Sequence, residues 1–313
     1  MNFGNTVKAE IISKPVKDKS VRRAFLAGLI RGSGTLYEKD GELGLEFKVA
    51  DEKTAEVASD CLYSVCGYEV REVSFSEDRL NKKDRFYINI SGDGALGALE
   101  NLGILESAED GINVCYDMLK ICGGDDNRIK AFLRGLFVSS GSCTVPEAGE
   151  SRGGYHLEMS FSHSATAESV AETLSKFGVI ARITRRKESY VLYIKSAEEI
   201  KDFLALLPAP VSVLKLTDVI IERELCNNSN RQANCDVGNV NKQIEAAAKQ
   251  IRAIEKIERA RGLSILKPEL YETAAARRNY PEETLSELAE RLNVSKSCLN
   301  HRLRKIVCIA DGI

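Results

Sequence analysis

The residues best equipped for intermolecular chemistry lie near the end of the chain, where SKSCLNHRLRKI sets polar and basic side chains between leucines. Ser295, Lys296, Ser297, Asn300, His301, Arg302, Arg304 and Lys305 bring donors, acceptors and four formal positive charges to a stretch without an acid. Such groups suit duplex DNA. An asparagine amide pairs adenine, an arginine or lysine pairs guanine, and the remaining cations neutralise phosphates. His301 lacks the set of partner ligands that a metal site needs, so it reads as a hydrogen-bonding contact rather than a ligand or catalytic base.

These side chains can act only if a helix presents them, and the segment PEETLSELAERLNVSKSCLNHRLRKI supplies one. Thr284 followed by Glu287 has the spacing of a capping box, and Leu285, Leu288, Ala289 and Leu292 form the buried stripe of a first helix. Asn293 and Val294 make a turn. Ser295 caps a second helix whose Leu299, Leu303 and Ile306 point inward, leaving the basic residues outside. This is the anatomy of a helix-turn-helix, with the second helix in the major groove and its first turns at base edges. A basic helix merely solvated at a domain end is the bland alternative; capping, turn and one-sided charge together favour DNA.

Upstream, NSNRQANCDVGNVNKQ runs from Asn228 to Gln243. Its asparagines read most simply as a solvated loop and helix start, since Asn caps helices and tolerates turns. As a functional element, Arg231, Asn234, Asn239 and Lys242 could reach a nucleic-acid backbone. The following residues, Ile244 to Arg261, are amphipathic at helical period and suit docking of the helix-turn-helix domain.

The first two thirds carry a duplication. AFLAGLIRGSGTL from Ala24 recurs as AFLRGLFVSSGSC from Ala131, with seven identical positions. Each copy has an apolar helical face (Phe25, Leu26, Leu29; Phe132, Leu133, Leu136) with Gly28 or Gly135 where a second helix could approach, and ends at Gly34 or Gly141. Two such helices side by side define a pseudo-twofold axis. The phrase resembles the signature of the LAGLIDADG homing endonucleases, whose paired helices form a domain interface and whose eighth motif residue is a metal-binding acid. That residue is here Ser33 and Ser140, and the sixth is Arg31 and Val138, so no carboxylate has slipped along the motif. Hard divalent ions need anionic oxygen ligands to hold them and activate water. The resemblance implies a scaffold without the chemistry: no enzyme, no catalytic residue, no metal and no cofactor.

Period-two patterning marks strands at Leu43–Val49, Arg85–Ile90, His156–Phe161 and Tyr190–Ile194, with helical stretches at Thr54–Val65 and Ala165–Phe177 between them. Each copy reads helix, strands, helix, strands, helix. We expect an α+β domain over residues 1–217, with copies at about 20–105 and 128–210 folded as a saddle with a curved sheet on one face. Pro208-Ala209-Pro210 closes the second copy. Residues 218–313 form linker helices and the helix-turn-helix, wholly α apart from the polar stretch and a turn near Pro268.

Charge follows the same division. The chain carries a formal −2, but residues 1–221 hold 28 Lys+Arg against 33 Asp+Glu, whereas residues 222–313 hold 16 against 13. Because phosphate affinity comes largely from cations displacing counterions, the C-terminal third is the expected polyanion contact, although a local patch such as Arg182–Lys187 can override the net value. At 313 residues and 43% hydrophobic composition the chain can fill two or three cores. No apolar run approaches the ~20 residues that span a bilayer, and the start lacks a signal peptide's apolar stretch, so the expected place is the cytoplasm. Nine cysteines, none in a CxxC pair, read as scattered free thiols.

Taken in order, the degenerate LAGLIDADG phrases, NRQANCDVGNVNKQ, GLSILKPEL and above all SKSCLNHRLRKI resemble the WhiA family of bacterial sporulation and cell-division regulators, over essentially the whole chain. The segment ICGGDDNRIKAF departs from that family's cysteine-rich, basic lead-in to the second motif. The resemblance implies a nucleoid-associated transcription factor in which a silent LAGLIDADG-like scaffold is joined to a helix-turn-helix that reads promoter DNA. The alternative is an adaptor, with the acidic scaffold binding a sigma factor or another regulator and DNA a secondary contact.

Overall fold

The computed structural model describes residues 2–70, 73–78, 83–92, 94–109, 111–146 and 153–313. It forms two compact units, Met1–Arg223 and Glu224–Ile313. The first unit opens with α1 (Phe3–Ser13) and α2 (Lys19–Ser33), then β1 (Gly34–Lys39), β2 (Glu42–Val49), α3 (Glu52–Cys66), β3 (Val73–Asp78), β4 (Lys83–Ile90) and α4 (Ala95–Asn101). A hairpin of β5 (Leu105–Ala108) and β6 (Gly111–Val114) and the short α5 (Met118–Cys122) lead to the second copy. That copy comprises α6 (Asp126–Ser140), β7 (Gly141–Thr144), β8 (His156–Phe161), α7 (Ser164–Lys176), β9 (Arg182–Arg186), β10 (Ser189–Ile194) and α8 (Ala197–Ala205).

Two antiparallel four-stranded sheets result, ordered β1-β2-β4-β3 and β7-β8-β10-β9. The same order in both copies establishes the duplication in three dimensions. The four strands expected from period-two patterning are the inner strands of these sheets. Among their outer partners, β1 and β9 escape that pattern because they bury little of either face, whereas β7 alternates over only four residues. The β1–β2 turn, which the sequence reading did not identify, is a two-residue Asp-Gly hairpin: Asp40 and Gly41 both adopt positive φ, at 54° and 81°.

The motif helices α2 and α6 form the most extensive helix pairing of the unit. Seven consecutive residues of α2, Ala24–Ile30, are buried, so the helix is covered all round rather than on the single face that the sequence suggested. Gly28 and Gly135 allow this. A Cβ on Gly28 would lie 2.0 Å from the Phe132 carbonyl oxygen, and one on Gly135 would lie 2.0 Å from that of Phe25. The reciprocal contact is the pseudo-twofold. The terminal glycines have a similar reason: Gly34 and Gly141 are extended, with φ of −83° and −75°, and a Cβ at Gly141 would strike the Phe137 ring at 2.3 Å. Glycine therefore ends these helices to meet a steric requirement and not to supply a left-handed cap.

α9 begins earlier and runs farther than the sequence indicates, from Pro210 to Arg261. At 1.5 Å per residue its 52 residues extend about 78 Å. Asn228–Gln243 is helical throughout, which corrects the expectation of a loop. Poor intrinsic propensity is at most about 0.7 kcal/mol for each ordinary residue, and extending a helix that already exists needs no new nucleus. The start of α9 is fixed from a distance. The Glu10 carboxylate of α1 accepts hydrogen bonds from Val211 N at 2.8 Å, Ser212 N at 2.9 Å and Ser212 Oγ at 2.6 Å.

Burial raises the Glu10 pKa, but these donors together outweigh it and the net shift is below the ordinary 4.5. A depressed folded value means that Glu10 contributes fully above pH 4.5 and loses its contribution as pH falls through the folded value. Glu10→Ala is expected to cost about 1 kcal/mol at neutral pH, as for loss of a helix cap. In urea titrations the gap between the wild type and this variant should close in acid; a gap that widens there would refute the assignment.

In the second unit, the C-terminal part of α9 contributes Ala253, Ile254 and Ile257 to a core shared with α10 (Pro268–Asn279), α11 (Leu285–Arg291) and α12 (Lys296–Asp311), after a single 3₁₀ turn at Leu263–Ile265. Among the described residues, no helix is long and apolar enough to cross a membrane.

Candidate nucleic-acid interface

The positions that would hold metal-binding acids in a LAGLIDADG endonuclease are neutral and already engaged. Ser33 Oγ donates to the Lys48 carbonyl at 2.7 Å, and Ser140 Oγ donates to Leu136 O at 3.1 Å. Beside them Gly32 leaves room for Ser139, whose Oγ would lie 2.0 Å from a Cβ there. Arg31 and Arg134 have structural partners. Arg134, 6% exposed, donates to the last carbonyls of α1 at Ile11 and Lys14 and lies over Phe25 at 5.1 Å, and burial pushes its guanidinium pKa down to about 10.

The helix-turn-helix forms as its sequence specifies. Thr284 Oγ1 accepts from Glu287 N at 3.3 Å, while Thr284 N donates to the Glu287 carboxylate at 2.7 Å, completing the capping box. Asn293 takes the left-handed conformation at φ 51°, a turn that asparagine tolerates well, and Val294 N reaches back to Ala289 O at 2.9 Å. Ser295 Oγ accepts from Cys298 N at 3.2 Å and starts α12. Leu288 and Ala289 of α11 pack with Leu299, Leu303, Ile306 and Ala310 of α12. Behind them Arg277 is 1% exposed and donates to Glu283 O at 2.7 Å, which braces the approach to α11.

With Leu299, Leu303, Ile306 and Ala310 inward, helical periodicity sets Ser297, His301, Arg304 and Lys305 on the opposite face. All four are exposed, as are Ser295 and Lys296, and Asn300 is half-buried on the flank. Among the described residues Lys296, Arg304 and Lys305 form no ion pair. Arg302 is placed differently from the rest: its side chain is 16% exposed and its Nη2 lies 4.0 Å from Glu269 of α10. Cys298 and Cys308, two of the cysteines read as scattered free thiols, are also exposed on this helix.

On α9, Arg231, Asn234, Asn239 and Lys242 are exposed on the continuous helix, not on a loop. Lys249, Arg252 and Lys256 were missed by sequence reasoning. They are exposed, and Lys242, Lys249 and Lys256 recur at seven-residue intervals, which keeps them near one helical face with Arg231. That spacing was the available signal, divided between the stretch read as a loop, which holds Lys242, and the stretch read as a docking helix, which holds Lys249 and Lys256.

A duplicated LAGLIDADG-like scaffold followed by a helix-turn-helix domain defines the class of protein. The WhiA LAGLIDADG-like domain matches residues 22–103 and 129–226, and the WhiA C-terminal helix-turn-helix domain matches residues 229–310. The chain belongs to the WhiA family. It is 32% identical over 318 residues to a probable cell division protein WhiA of Clostridium acetobutylicum, spanning 100% of this chain and 98% of that relative. A protein of the same description from Latilactobacillus sakei is 32% identical over 314 residues, covering 99% and 98%. Among solved structures, full-length WhiA from Thermatoga maritima matches with a TM-score of 0.58 at 24% identity, covering 100% of this chain and 99% of the other. An N-terminal LAGLIDADG domain of WhiA matches with a TM-score of 0.50 over 65% of this chain and 89% of the other. These structures share the fold.

Proposed function

We propose that this protein is a sequence-specific DNA-binding transcriptional regulator that acts on promoters of cell-division, sporulation or chromosome-segregation genes, in the cytoplasm and at the nucleoid. The observation that carries the reading is the outer face of the first turns of α12, where Ser297, His301, Arg304 and Lys305 are exposed and no acid of the helix precedes Asp311. Ser295, Lys296 and Asn300 flank it for base contacts, and Arg231, Asn234, Asn239 and Lys242 supply backbone contacts on α9. Arg302 orients the helix through Glu269 and reaches DNA only secondarily. The excess of acids over residues 1–221 supports a second role for the scaffold, docking a sigma factor or another regulator.

The experiment is selection of binding sites from random duplexes by the full chain, followed by titration of the selected operator with the chain and with its two parts at one salt concentration. Residues 218–313 should bind the operator more weakly than the full chain, and residues 1–217 only feebly, because a weak second contact gains from linkage. Full affinity in residues 1–217 would invert the roles.

The scaffold is proposed to be catalytically silent. Ser33 and Ser140 offer no charge to a divalent ion, so the operator should remain intact with magnesium or manganese. Ser33→Asp with Ser140→Asp should remain inactive too, since cleavage also requires positioned water and a bent substrate. An EDTA-sensitive product that co-purifies with the wild-type chain would overturn this.

A further inference from the structure

A cavity of about 230 Å³ lies within the first unit, between the C-terminal end of α2 and the N-terminal end of α7. Arg31, Thr35, Tyr116, Ser162, His163 and Thr166 form its polar wall, and no acid lines it. Three features give it one sign. First, α7 has His163 at its N-cap with no side-chain hydrogen bond, leaving first-turn N–H groups without a cap at the positive end of the helix dipole. Second, Thr166 in that turn is only 4% exposed, and its hydroxyl has no hydrogen-bond partner among the described residues. Third, Arg31 brings a guanidinium whose Nη2 donates to the Ile104 and Cys115 carbonyls, while its Nε has no partner.

The aromatic groups hold this arrangement in place. Arg31 lies over the Tyr116 ring at 5.2 Å, and Tyr116 packs against His163 with ring centroids 4.7 Å apart. The opposing end of α2 does little to offset the positive sign: Gly34 N–H occupies the Ile30 carbonyl, and Ser33 Oγ donates toward that of Leu29 at 3.3 Å. Thr166 is largely buried yet lines the cavity, so its hydroxyl is available to a group held there.

We propose that this cavity binds a small oxyanion, a phosphate or phosphate-ester group, held by Thr166 Oγ1, the first-turn N–H groups of α7 and the Arg31 guanidinium. The site belongs to the first unit and does not depend on the DNA-reading assignment of α12. A phosphorylated metabolite and a phosphodiester of DNA present the same chemistry, so the test separates them.

The probe is inorganic phosphate added to the full chain at fixed ionic strength, with the dissociation constant read from ³¹P line broadening. Thr166→Val keeps the side-chain shape and removes the hydroxyl; it should weaken binding about tenfold or more, as loss of a hydrogen bond to a charged group does. Thr166→Ser should restore it. No broadening with the wild type, or equal binding by the valine variant with a native circular dichroism spectrum, overturns the proposal. Addition of operator duplex then assigns the source. Phosphate that stays bound indicates a free ligand. Phosphate that is released, with an operator salt slope lowered by about one in Thr166→Val, indicates a DNA phosphate.

Discussion

Arg304→Glu combined with Lys305→Glu is expected to weaken operator binding at least about a hundredfold at physiological salt and to flatten its salt dependence. Both side chains are exposed, on the face of α12 opposite Leu299, Leu303 and Ile306, and neither has an acidic partner to lose. Each phosphate contact contributes a slope of about −0.9 in log affinity against log salt, so losing two should change the slope by about 1.8 for operator and random duplex alike. Lys296→Ala, Asn300→Ala and His301→Ala should act otherwise. They should cost about 1 to 3 kcal/mol on the operator and little on random duplex. Arg302→Ala should reduce the stability of the second unit before it reduces specificity, because its guanidinium faces Glu269 at 4.0 Å. Anisotropy titrations on operator and random duplex at several salt concentrations separate these cases. Unchanged affinity in the double glutamate variant, with folding intact, would remove α12 as the reader.

Gly28→Val should disrupt the first unit. The added Cβ alone meets the Phe132 carbonyl oxygen at 2.0 Å and Leu136 N at 3.0 Å, and these are backbone atoms of α6 that no rotamer change can move. Overpacking typically costs about 1 to 3 kcal/mol, and here the whole helix pair must separate, so about 3 kcal/mol or more is expected. For a domain of this size that corresponds to a fall in Tm of about 6 to 12 °C. Gly135→Val should match it through the reciprocal contact with Phe25 O. Gly238→Ala is the control: it lies on an exposed part of α9 with nothing within 4 Å of an added Cβ, and should stabilise the helix by about 0.5 to 1 kcal/mol. A change below about 0.5 kcal/mol for both valine variants would refute the role of these glycines at the pairing.

Local rules carried the reading farthest where the signal is local. The capping box at Thr284, the cap at Ser295 and the turn at Asn293 lie within a few residues of one another, and the structure forms all three. The inner strand β8 buries one face and so kept its alternation, as does β2 over residues 45–49, whereas β10 buries the neighbours Val191 and Leu192. The edge strands β1 and β9 lack such alternation, and the Asn-rich part of α9 was misread because propensity counts one residue at a time while helix extension is cooperative.

By itself, the sequence determined the duplication, the α+β class of the scaffold, the helix-turn-helix and the absence of acids at the eighth motif positions, because each is written in residue type at fixed spacing. The tertiary structure alone decided which residues those patterns meet. Glu10 capping α9, Arg134 closing α1 and Arg302 turning toward Glu269 all join groups far apart in the chain. Such pairings have no sequence period. They arise when buried polar groups take the partners that packing brings within about 3 to 4 Å, and that distance is fixed only once the helices and sheets have closed around one core.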